Sequence, residues 1–353
     1  MVNLPNNSKL IFKFISGSQL YGNATEDSDI DERGIFIASK EYYYGFLNNI
    51  RQIQSHNENT KEDVEYHEIR QFLYLAMNNN PNIIEYLFVP DNMMTYHTKE
   101  WDRIVENRKY FLSTKCKFTF SGYAHSQFHR IKRHRNWLLY PPKKKPERKD
   151  FGLLENQSTI PKEQIGAFNV LLAMYLEEVR DFHSLKNQIL EMEETRNFKT
   201  LAQNLRNIDF KAIKTIVPIS DNFLEALSKE KVYMQAKREW DAYQNWKINR
   251  NLKRKDLEGK YGYDCKHASH LLRLMSEGEE LLLTGNITFP RPDADFLLAI
   301  KNGLLTYDQL MEKVGNYDEK FEQLYKESIL PREPDRVRID KLCIEIVEEF
   351  LKS

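Results

Sequence analysis

Residues 17–34 read GSQLYGNATEDSDIDERG and follow the run KLIFKFIS at 9–16. That run alternates and is rich in β-branched and aromatic residues, so it reads as a strand ending at Gly17. Gly17 suits a tight turn, and Gly22 suits the end of a short helix over about residues 18–22. DIDERGIFIAS (29–39) then returns as a second strand. Side chains alternate along a strand, so Asp29 and Asp31 share one face. Adjacent carboxylates repel each other, and a divalent cation removes that conflict. On spacing alone, a solvated acidic turn competes with a metal site, and the rest of the chain has to decide.

Two further features favour the metal site. Ser18 and the backbone N–H groups after Gly17 form a plausible phosphate-binding turn at the start of a helix. DVEYHEI (63–69) reads as another strand, on which Asp63 and Glu65 share a face. A third carboxylate beside Asp29 and Asp31 is what two-metal phosphoryl transfer requires. Strand periodicity alone leaves both Asp63 and Glu65 open as that third group.

The chain has 353 residues, 41% of them apolar, with 52 Lys+Arg against 52 Asp+Glu. A neutral balance excludes a whole-molecule field for nucleic acid, so any such surface must come from local segregation of charge. Cys116, Cys265 and Cys343 are far apart and odd in number, which argues against a disulfide framework or a zinc finger and suits a reducing compartment. The opening MVNLPNNSKL has no basic run followed by an apolar stretch, and no apolar run approaches the roughly 20 residues that span a bilayer. These features lead us to expect a cytoplasmic protein with no membrane or disulfide partner.

Strand and helix signals mix in the first hundred residues. Residues 68–78 carry apolar groups at helical spacing, and Asn80 followed by Pro81 marks the start of another helix. From about residue 99 the pattern is almost wholly helical, including segments at 161–186, 187–206 and 221–250. It is broken by YPPKKKPERKD at 140–150, part of an exposed loop expected near 140–160. The expected fold class is α+β, with a mixed-sheet core over residues 1–98 followed by a largely helical domain over 99–353 that closes the cleft.

The helical part holds three basic stretches. In YGYDCKHASHLLRLM (261–275), Lys266, His270 and Arg273 fall on one helix face, opposite Ala268, Leu271, Leu272 and Met275. Such a stripe could face a triphosphate, with Arg as a planar fork and Lys as a point charge. An ordinary solvated face competes with that reading. A zinc site from His267 and His270 is not expected, because no other ligand lies nearby in sequence. In FSGYAHSQFHRIKRHRNWLL (120–139), Arg130, Lys132, Arg133 and His134 offer a basic surface for nucleic acid, interleaved with aromatic residues. The aromatic stripe of Trp240, Tyr243 and Trp246 (238–256) reads as packing rather than base stacking.

Gly17-Ser18 followed by Asp29-x-Asp31 resembles the signature of the DNA polymerase beta superfamily of nucleotidyltransferases. The fuller set of GSQLYGNATEDSDIDERGIFI, DVEYHEIRQFLYLAMNNNPNIIEYLF, FSGYAHSQFHRIKRH, KYGYDCKHASHLLRL and GEELLLTGNITFPRP resembles RlaP-type proteins, nucleotidyltransferases of RNA-repair contexts in bacteria and phages. The likeness runs from residue 15 to about 303, with no motif between about 140 and 235. It implies a nucleotidyltransferase core, Mg²⁺ (or Mn²⁺), and transfer of a nucleoside monophosphate from an NTP such as ATP with release of pyrophosphate. Gly17 and Ser18 match its phosphate turn and Asp29 and Asp31 its metal pair. Asp63 best matches its third acidic position, with Glu65 the rival. The family context and the basic patches together point to an RNA 3′ end, tRNA first, as the acceptor. Transfer to a protein or small molecule and an inactive nucleotide or RNA sensor are the alternatives, and the intact acidic motif speaks against the last.

Overall fold

The computed structural model describes residues 3–26, 28–57, 62–155, 221–250 and 252–352. The helical segments expected at 161–186 and 187–206 lie outside these. The N-terminal part is a five-stranded mixed sheet. Its strands are β1 (Lys9–Ile15), β2 (Ile30–Ile37), β3 (Gln52–Asn57), β4 (Glu62–Glu68) and β5 (Met94–His97), in the order β3-β4-β2-β1-β5. β1 pairs antiparallel with β2 and β5, β3 pairs antiparallel with β4, and β2 pairs parallel with β4. The strands expected after residue 8, at Asp29 and at Asp63 are all present. β3 and β5 are additional, because short exposed strands such as QIQSHN bury too little to show an alternating pattern.

The short helix α1 (Gly17–Tyr21) links β1 to β2 and ends at Gly22, whose φ of 78° is left-handed. The helices α2 (Glu41–Tyr44), α3 (Ile69–Met77), α4 (Pro81–Ile84), α5 (Lys99–Glu106) and α6 (Cys116–Leu139) follow in the first half. Asn80 caps α4 by accepting the Asn82 N–H at 3.1 Å. In the second half come α7 (Asp221–Ile248), α8 (Leu252–Tyr261), α9 (Cys265–Thr284), α10 (Ala294–Lys301), α11 (Tyr307–Glu327) and α12 (Arg336–Lys352). Among the described residues no helix is long and apolar enough to cross a membrane, and all three cysteines are free.

The contacts divide the chain into residues 1–138 with 252–353, and residues 139–251. This is not the division expected at residue 98. One hydrophobic core runs from Phe12, Phe14 and Ile35 of the sheet through Phe120 of α6 to Leu271, Leu272 and Met275 of α9. Sheet and C-terminal helices therefore bury the same apolar surface and form one unit. Phe12 stacks on Trp101 at 3.9 Å between ring centroids, near the centre of that core. In the second unit, Arg148 of the expected loop pairs with buried Glu230 of α7 at 2.6 Å, while Lys143, Lys144 and Lys145 stay exposed. Trp240, Tyr243 and Trp246 contact one another along α7 at 6.2 and 6.0 Å.

Candidate active site

The core-facing side of β2 changes character along its length. Asp31 and Arg33 are partly exposed, whereas Ile35 and Ile37 on the same face are fully buried. β4 repeats the change, from Asp63 and Glu65 to buried His67. The sheet is thus anchored by its apolar end and presents carboxylates at the other. Parallel register sets Asp31 beside Asp63 and Arg33 beside Glu65. Periodicity left both candidates open, but the register puts Asp63, not Glu65, directly alongside Asp31.

Arg33 was not anticipated from the sequence. Its Nη2 lies 2.8 Å from Asp63 Oδ2 and 3.4 Å from Asp31 Oδ1, and its Nη1 donates to the Asp63 carbonyl at 2.8 Å. The signal was the same period-two rule, read one step further from Asp29 and Asp31 to Arg33. Partial burial raises the Asp31 pKa, Arg33 and Lys266 oppose that rise, and Asp63 and Asp29 add to it. Four carboxylates with one guanidinium among them have surplus negative charge. Hard oxygen donors in that state suit Mg²⁺ or Mn²⁺ better than a softer ion. Asp29, Asp31 and Asp63 therefore fit the divalent metal that the sequence implies.

The turn before α1 closes on the same carboxylate. The Ser16 N–H donates to the Asp31 carbonyl at 2.7 Å, and Gly17 adopts a φ of 65°. A Cβ on Gly17 would strike Asp31 Oδ2, so both its backbone conformation and its packing demand glycine. Ser18 follows at the next position, partly exposed.

The basic stripe of α9 is split by the structure. Lys266 is exposed and near enough for its charge to favour ionised Asp31. His270 keeps access to solvent, but the protein around it and the positive Arg273, Lys266 and Arg130 push its pKa well down. It is therefore a neutral hydrogen-bonding group near pH 7 rather than a cation. Arg273 does not join a phosphate-facing surface. It is 2% exposed, and its Nη1 lies 2.6 Å from Glu85 Oε1 and 2.8 Å from Glu277. Its guanidinium sits 4.0 Å over the Tyr21 ring of α1, and the Tyr21 hydroxyl donates to Glu85 at 2.8 Å. The expected phosphate ligand is instead a buried tie between α9 and the turn-bearing helix. The apolar side of α9 is wider than the assumed stripe, and Arg273 could enter it because two carboxylates met it there.

The α6 surface divides as well. Lys132 and Arg133 are exposed, Lys132 lying 4.1 Å over Phe128, and Arg130 is exposed near His270. His134 is largely covered and turned toward Asp264 at 3.7 Å, so it leaves the expected nucleic-acid face. The reason is that the side of α6 carrying Gln127 and His134 packs on the start of α9, where Gln127 meets His267 at 2.9 Å.

Comparison with known proteins adds to this geometry. Residues 2–147 match the RlaP family, described as the RNA repair pathway DNA polymerase beta family. The matched segment contains Gly17, Ser18, Asp29, Asp31, Asp63 and the exposed basic residues of α6. The chain is also similar to an uncharacterized 38.9 kDa protein from the nrdC-mobD intergenic region of Enterobacteria phage T4, at 21% identity over 320 residues covering 86% of each chain. The uncharacterized protein YcgL of Bacillus subtilis (strain 168) is 30% identical over 79 residues, 22% of this chain and 30% of that protein. No solved structure matches. The matched segment spans the whole five-stranded sheet and α1 to α6.

Proposed function

We propose that the protein is a metal-dependent nucleotidyltransferase that moves a nucleoside monophosphate from an NTP to the 3′ hydroxyl of an RNA, with tRNA the leading acceptor. The observation that carries this reading is the Asp31–Asp63 pairing on parallel β2 and β4, with Gly17 pressed against Asp31. It is supported by the RlaP match over the same residues.

Asp29, Asp31 and Asp63 would hold the divalent ion. When bound, that ion supplies charge against the phosphate oxygens and makes the acceptor hydroxyl easier to ionise. Gly17 and Ser18 bind the outer phosphates through backbone N–H groups and the Ser18 hydroxyl. Lys266 adds a positive charge beside the same carboxylates, and neutral His270 donates a hydrogen bond. The acceptor oxygen forms a bond to the α-phosphorus while the bond to the β-phosphate bridge breaks, releasing pyrophosphate. Asp63 takes the acceptor's proton. Arg130, Lys132 and Arg133 contact the RNA backbone, so binding should weaken as salt rises. Arg273 acts only by positioning α1.

The test incubates the protein with each α-labelled NTP, Mg²⁺ or Mn²⁺, and total RNA. Label should enter RNA with wild type and be lost with Asp29→Asn or Asp31→Asn. Label on protein or on a small molecule instead of RNA would overturn the acceptor assignment. Failure to label any acceptor, with all four NTPs, would overturn the transfer reading itself.

A further inference from the structure

The start of α9 gathers a second set of ligating groups, apart from the acidic sheet face. His134 Nδ1 on α6 lies 3.7 Å from Asp264 Oδ2, and His267 Nε2 lies 3.6 Å from the same oxygen. The three ligand atoms all fall within 4.8 Å of one another. Donors around a tetrahedral zinc ion stand about 3.3 Å apart, from metal–ligand bonds near 2.0–2.1 Å. The two distances to Asp264 exceed this by a few tenths of an ångström, and the two imidazole nitrogens, within 4.8 Å of each other, would have to close by up to about 1.5 Å.

The surroundings orient His267 and Asp264 toward the cluster and hold the His134 ring beside it. His267 Nδ1 is 2.9 Å from Gln127 Oε1, an acceptor, so the ring proton sits on Nδ1 and the Nε2 lone pair faces the cluster. Asp264 caps α9 with its other oxygen, accepting the His267 N–H at 3.1 Å, which aims Oδ2 inward. His134 is stacked on Trp137 at 5.4 Å. Arg135, next along α6, donates to the Gly262 carbonyl at 2.8 Å and holds the turn that leads into Asp264. The positive end of the α9 dipole works against a cation here, and the full charge of Asp264 offsets it.

We propose that His134, Asp264 and His267 bind a zinc-class divalent transition ion, with water or solvent completing its coordination. Two imidazoles select a borderline ion over Mg²⁺, so this site and the all-oxygen site on the sheet take different metals. The ion clasps α6 to the start of α9, two residues ahead of Lys266. Neither helix alone shows the site, since 130 residues separate its members.

The test adds Co²⁺ to full-length protein stripped with chelator, reading visible ligand-field absorption, then displaces it with Zn²⁺. Wild type should saturate at one equivalent and gain thermal stability with Zn²⁺. Asp31→Asn should keep the band, whereas His134→Gln and His267→Gln should lose it. Asp264→Asn preserves the helix cap, because Asn caps as well as Asp. It should therefore keep the circular-dichroism spectrum of the folded protein and weaken Zn²⁺ at least tenfold. It also decides the matter if the histidine variants do not fold. No saturable band in wild type, or unchanged Zn²⁺ affinity in Asp264→Asn, would overturn the proposal.

Discussion

Arg33 on the sheet and Arg273 in α9 each set a guanidinium between two carboxylates, at nearly the same distances. Arg33 reaches Asp63 at 2.8 Å and Asp31 at 3.4 Å, and Arg273 reaches Glu85 at 2.6 Å and Glu277 at 2.8 Å. They differ in access to water. The Asp31 and Asp63 side chains are 32% and 41% exposed, those of Glu85 and Glu277 2% and 0%. Each cluster carries more negative than positive charge. The open one can meet its surplus with a cation from solution, which suits it to the proposed metal. The closed one must keep a proton, and burial pushes Glu277 up to about 8. The same residue types thus build an open acidic face in one place and a buried brace in the other, with solvent access deciding which.

The sharpest way to break this contrast is to remove each arginine or acid in turn. Arg273→Met strands two carboxylates in the core and should cost about 3–5 kcal/mol of stability in urea unfolding. Asp31→Asn should leave the urea midpoint unchanged and lower nucleotidyl transfer by roughly 10²–10³-fold, the scale of losing one preorganised charge-stabilising group. Glu277→Gln should separate the clusters by pH. The folded protein holds a proton on Glu277 between its ordinary value of 4.5 and about 8, so wild-type stability falls as pH rises through that window and then levels. The Gln variant should lose that fall and outlast wild type at pH 9 in thermal melts. Arg33→Met should have the smallest effect on stability, about 1 kcal/mol or less, because its partners are solvated. It should also tighten Mn²⁺ binding by removing the competing guanidinium.

The sequence foretold the strand–turn–strand unit well, because Gly17, Gly22 and the period-two acids carry local signals. It misjudged Arg273, because helical periodicity ranks positions on a face and does not reveal a buried carboxylate 188 residues away. The core shared across residue 98 was hidden for a similar reason. A change in secondary-structure type is visible in sequence, whereas a core shared by Phe14, Phe120 and Leu271 is not. Register, which favours Asp63 over Glu65 as Asp31's neighbour, depends on how two strands 30 residues apart align.

The central claim is that the open carboxylate face holds a divalent metal with an NTP. The most direct measurement is a Mn²⁺ titration with ATP followed by electron paramagnetic resonance of the free ion, in wild type and in the Asp31→Asn plus Asp63→Asn variant. The account predicts saturable, nucleotide-dependent Mn²⁺ uptake by wild type and its loss in the double variant, with both proteins equally folded. Equal uptake by the two proteins would contradict it.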